Sequence, residues 1–113
     1  MEKYDDRITK GKISLFLTGK IEADNETKKR IIKEGKDIPA GLNFEYKELA
    51  YNSEVRRATI SDIIQCKTSA KLSTILKCLI ALDMTFPKFA EEFDNISANE
   101  ALDHYKKLRA KDE

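Results

Sequence analysis

A chain of 113 residues fits one domain, since domains cluster at about 100 to 150 residues, and leaves no room for a second independent core. Hydrophobic residues make up 41% of it and charged residues 36%, with 21 basic against 20 acidic side chains for a net charge of +1; this excludes a disordered tract and a uniformly basic nucleic-acid binder, and points to a folded chain with a charged, mostly helical surface. The longest apolar stretch, around Leu79 to Leu82, falls far short of the ~20 residues of a membrane span, and MEKYDDR at the start holds no apolar signal core, so a cytoplasmic protein without membrane contact is expected.

The first forty residues admit two readings. ISLFLT (13–18) alternates like a strand and is rich in β-branched residues, yet also suits a helix with apolar residues on both sides. NETKKRIIKEGK reads as a helix capped by Asn25 and broken before Pro39 and Gly41. FEYKELAYNS then supplies two turns of helix ending near Asn52. The link Ser53, Glu54, Val55 is so short that the next helix must cross the first, with Val55 pointing into their junction. In RRATISDIIQ, Ile60, Ile63 and Ile64 share one face while Arg57, Ala58, Ser61, Asp62 and Gln65 share the other.

From Leu72 to Leu82, Leu72, Ile75, Leu76, Leu79, Ile80 and Leu82 form a broad apolar face, expected to be the spine of the core. Thr85 caps a further helix with Pro87 in its first turn, and Phe86, Phe89 and Phe93 recur at helical spacing to close the core. SANE at Ser97 is a capping box with Glu100 reaching back, opening a last helix with a narrow stripe of Leu102, Tyr105 and Leu108. That stripe packs either on its own domain or on a second subunit. The fold class is therefore all-α, a compact helical bundle divided into an N-terminal extension (1–25), a central domain (26–93) and a C-terminal helix (94–113).

A shift of 47 residues lays 8–27 on 55–74 with identities at Ile13/Ile60, Ser14/Ser61, Lys20/Lys67, Ala23/Ala70 and Thr27/Thr74. Residues 1–25 are then a truncated structural repeat or a dimerisation segment, or the match is two helix-loop-helix stretches sharing a cap and spacing.

The run ELAYNSEVRRATISDIIQCKTSAKLSTILKCLIALDM resembles the helix-turn-helix of the phage repressor and Cro class, the XRE family. The likeness covers about residues 26–93 and is strongest in RRATISDI and LSTILKCLIAL. It implies a lambda-repressor-like bundle with 46–52 as positioning helix, 56–65 as recognition helix and 72–83 as support. Three positions depart from the family pattern: Glu54 stands at the usual turn Gly, where a left-handed backbone disfavours a side chain; Arg56 replaces the capping Ser; and Cys66 replaces the Gly that ends the recognition helix, with Lys67 retained.

What the resemblance implies is a sequence-specific double-stranded DNA-binding regulator, a homodimeric repressor or the antitoxin of a toxin-antitoxin pair with a toxin as protein partner. A helix in the major groove reads base edges with its outward N-terminal face, which here carries Arg57, Ala58, Ser61 and Asp62. Arg57 suits guanine, Ala58 a thymine methyl, and Asp62 a cytosine amine; Arg56, Lys67, Ser69 and Lys71 lie where phosphates should pass. Charge distribution agrees, with five basic residues against Asp62 alone over 56–77, and seven acidic against four basic residues over 90–113. Pairing of subunits is expected through ISLFLT or through the Leu102, Tyr105, Leu108 stripe.

The alternative is a protein-interaction module on the same scaffold, favoured by the neutral net charge and by Glu54 and Asp62. No carboxylate pair, Cys/His arrangement or glycine-rich phosphate loop argues for an enzyme. Cys66, Cys78 and the single His104 offer no metal-ligand spacing, so no metal or cofactor is expected, Cys78 reads as a small core residue and His104 as a surface one.

Overall fold

Residues 3–111 are described by a computed structural model, and the regular elements among them are all helices. The first, α1 (Asp6–Lys33), is capped by the Asp5 carboxylate, which accepts from the Arg7 amide at 3.0 Å. At 1.5 Å per residue its 28 residues reach about 42 Å. The two readings of ISLFLT are thereby decided for helix: Ile13, Phe16 and Leu17 are buried with Ile21 packed beside them, a spacing of three and four that a strand would have split between two faces. The helix start expected at Asn25 does not occur, because α1 runs through it without a break.

The remaining helices are short: α2 (Tyr46–Ser53), α3 (Arg57–Ile64), α4 (Leu72–Ala81), α5 (Phe86–Asn95) and α6 (Ala98–Ala110). Their bounds follow the periodicity closely, and both expected caps are made, Thr85 accepting from the Lys88 amide at 3.3 Å and Ser97 from the Glu100 amide at 3.1 Å. The matched stretches 8–27 and 55–74 do not share a backbone. One lies wholly inside α1; the other crosses from α3 through a loop into α4.

Core position is where the sequence-based expectation needs correction. α1, rather than α4, is the spine, packing against α3, α5 and α6. Its Phe16 meets Phe89 edge to face at 4.9 Å, and Phe89 in turn touches Phe86 and Phe93. From α4 only Cys78 and Leu79 are buried; Leu72, Leu76 and Ile80 are 60%, 41% and 81% exposed. A helix apolar over so wide an arc can bury only the side that meets its neighbours, here α2 and α5.

Gly11 explains how α1 and α6 come so close. A Cβ at this position would stand 2.1 Å from the carbonyl oxygen of fully buried Ala101, so only hydrogen fits. The stripe Leu102, Tyr105 and Leu108 is accordingly half-buried within the chain's own fold.

The long loop before α2 is held by buried Asn43. Its amide donates to the Asp24 carboxylate at 2.8 Å, its side-chain nitrogen donates to the carbonyls of Gly41 and Ala81, and its side-chain oxygen accepts from Asn52. Every polar group of that side chain is used, as burial requires, and one residue joins α1, α2 and α4.

Candidate nucleic-acid interface

The link between α2 and α3 is short because α2 ends in a left-handed residue. Glu54 adopts φ 59° and ψ 33°, its amide donates to the Tyr51 carbonyl, and the Val55 amide donates to the Ala50 carbonyl. This pair of bonds is the Schellman arrangement that usually takes glycine. The departure at Glu54 therefore leaves the turn geometry intact, at a conformational cost. Cys66 does the same after α3 at φ 60°, with the Lys67 amide donating to the Asp62 carbonyl.

The N-terminus of α3 is open. Arg56 at the cap makes no side-chain cap bond, and the first turn carries no acidic residue. Arg56, Arg57 and Ala58 are all exposed, so unsatisfied helix amides and two guanidinium groups meet at one end, a combination that favours an anion.

The other two base-reading candidates are half-buried and diverge. Asp62 borders a groove between α3 and α4 that also takes in Glu54, Arg56, Thr59, Lys71 and Lys77, three cations against two carboxylates. Ser61 lies on the opposite flank, in a hollow shared with Thr18 and Glu22 of α1 and with Phe44 and Tyr46. α3 thus offers its first turn and a strip between two concavities.

Among the phosphate candidates, Lys67 and Lys71 are exposed. Ser69 is committed elsewhere, because its hydroxyl donates to Asp6 at 2.8 Å. Asp6 also pairs with Lys10 at 2.8 Å, and Lys10 first and Ser69 second hold its carboxyl below the usual range. A serine whose single proton is held by a carboxylate is a poor donor to a phosphate. Lys77, on the groove wall, is a cation that the sequence analysis left out of the set; its place on α4 three residues after Thr74, which lines the same groove, was the available signal.

His104 also differs from expectation. It is half-buried, with Nε2 2.8 Å from the hydroxyl of fully buried Ser14. Ser14 donates to the Ile64 carbonyl at the end of α3, so Nε2 carries the proton and donates to Ser14. Burial, the largest cause, and nearby Lys107 lower the imidazole pKa, while Glu100 opposes them. Cys66 and Cys78 are buried free thiols, the latter pushed by burial up to about 11, which makes it an inert core residue. Among the described residues no His, Cys, Asp and Glu cluster of three or more could hold a metal, and no helix is long and apolar enough to cross a membrane.

Compared with family models, curated proteins and solved structures, the chain matches none.

Proposed function

We propose that the protein is a sequence-specific double-stranded DNA-binding regulator that represses transcription in the cytoplasm as a homodimer. The observation that carries this reading is the open, uncapped first turn of α3 with Arg56, Arg57 and Ala58 exposed on it, beside a groove bordered by Lys71 and Lys77. Major-groove readers expose such a first turn to the base edges and set flanking cations on the phosphates. In this reading Arg57 and Ala58 contact bases, with Ser61 and Asp62 at the margins of the contact. Arg56, Lys67, Lys71 and Lys77 neutralise phosphates. Two copies are needed because one short helix covers only a few base pairs, and a two-fold axis spaces the pair about one DNA turn, roughly 34 Å, apart.

A second reading, a protein-interaction module, is favoured by Glu54 and Asp62 in the same groove, which repel phosphate and suit a basic peptide.

Duplex selection followed by a salt titration separates the two. Binding should weaken steeply with salt as counterions are released. Arg57→Ala should cost about 1 to 3 kcal/mol at one base position, whereas Lys67→Ala should weaken all duplexes alike and reduce the salt slope by about 1. No binding to any duplex at low salt rejects the DNA reading in favour of the module.

A further inference from the structure

We infer that the hollow between α1, α3 and the residues leading into α2 is a binding site for a small organic cation, an ammonium group carried on an apolar body. The site goes beyond the DNA-binding reading and does not rest on it. The hollow encloses about 570 Å³, inside the range of roughly 300 to 1,000 Å³ typical of small-molecule sites.

Charge separates this hollow from the groove on the other flank of α3. The groove carries Arg56, Lys71 and Lys77. The hollow is lined, among the described residues, by two carboxylates, Glu22 and Glu45, and by no basic side chain. Glu45 is answered by Lys47 at 3.2 Å, whereas Glu22 has no ion-pair partner among the described residues. An anion is disfavoured here, and a cation finds a carboxylate to meet.

Aromatic rings add a second attraction. The quadrupole of a phenyl or phenol ring holds an ammonium within about 6 Å of its centroid, and Phe44, on the lining, already holds one. Lys28 Nζ stands 4.2 Å from that ring's centroid, although Lys28 is not part of the lining. Tyr46, also on the lining, is 46% exposed and makes no such contact among the described residues, so its ring is open to a ligand.

The remaining lining selects an organic cation over a bare metal ion. Thr18 and Glu22 stand one turn apart on α1, with Ser61 on α3; their hydroxyl and carboxylate oxygens suit the three N–H donors of an ammonium. Ile21 and Ile64, both half-buried, offer apolar surface that a metal ion would leave unused and a hydrocarbon body would cover.

The test is a titration of the isotopically labelled full chain with phenethylammonium, without DNA and at constant ionic strength, followed by backbone amide chemical shifts. Shifts should saturate and cluster at Thr18, Glu22, Tyr46, Ser61 and Gln65. Neutral phenethyl alcohol should bind about fivefold more weakly, and Glu22→Gln should weaken the amine about threefold. Glu22→Lys, at an exposed helical position, should leave helical circular dichroism unchanged, abolish amine binding and admit the anion hydrocinnamate, which the wild type refuses. Tyr46→Leu should weaken the amine more than the alcohol. An absence of shifts, shifts that cluster elsewhere, an alcohol that binds as tightly as the amine, or a Glu22→Lys variant that still takes the amine overturns the inference. A lysine-rich peptide that binds at these residues while the amine does not overturns it too, and assigns the hollow to a protein partner.

Discussion

Glu54, Cys66 and Asp83 all hold left-handed backbone at helix ends, at φ 59°, 60° and 55°, and Gly35 does so after α1 at φ 73°. Each closes its helix with the same two bonds, so four successive helices end alike and only one uses glycine. A side chain in this region meets the following carbonyl, a cost glycine avoids. At Glu54 the side chain is exposed and lends no packing in return. Glu54→Gly should therefore stabilise the fold by about 0.5 to 1 kcal/mol, the relief of strain outweighing the added freedom of the unfolded chain; a urea midpoint that falls would show the carboxylate to be stabilising. Cys66 is a different case. Its side chain is 1% exposed and its thiol faces the Lys10 carbonyl at 3.6 Å, so glycine there would relax the backbone and empty a packed site.

Among the elements, α1 carries two interior glycines that should respond in opposite directions. Helix propensity alone favours alanine over glycine by about 1 kcal/mol. At Gly19 a Cβ meets nothing within 4 Å, so Gly19→Ala should gain most of that amount. At Gly11 the same Cβ would stand 2.1 Å from backbone oxygen and 2.7 Å from the carbonyl carbon of Ala101. Neither atom can turn aside as a side chain could, and separating α1 from α6 costs about 1 to 3 kcal/mol or more. Gly11→Ala should thus be clearly destabilising in chemical denaturation despite its better propensity. A gain at both positions would mean that α6 does not rest on α1.

Across the whole molecule, Ser14 and His104 join α1, the end of α3 and α6, partners separated by 50 and 90 positions in the chain. Burial lowers the folded pKa of His104 from its ordinary value of 6.5, so as pH falls the unfolded chain takes up a proton first. The stabilisation is complete above the ordinary value and is lost as pH drops through it toward the lower folded pKa. Denaturation midpoints should accordingly decline as pH falls below about 7, and His104→Gln, which can still donate to Ser14, should flatten that decline. Equal slopes for both proteins would place His104 in solvent. Asp6, with its carboxyl held low by Lys10 and Ser69, has the same sign, but its loss falls at more acidic pH.

What could be read from the sequence was local. Apolar spacing of three and four, Thr85 and Ser97 as caps and the three-residue link at Ser53 to Val55 set the bounds of α2, α3 and α4 within a residue or two and the starts of α5 and α6, because these signals act over a single turn. Arg57, Ala58 and Gln65 were identifiable as outward-facing for the same reason, whereas Ser61 and Asp62, read on the same face, are half-buried. The tertiary structure alone decided which apolar faces are covered. α4 has apolar residues over a wider arc than its neighbours can reach, so Leu72, Leu76 and Ile80 are left outside, while ISLFLT, ambiguous by itself, becomes the spine through Phe16 against Phe89. It also committed Ser69 to Asp6 and buried His104 against Ser14. Those contacts join residues 63 and 90 positions apart, and no pattern within one turn of helix encodes a partner at that distance.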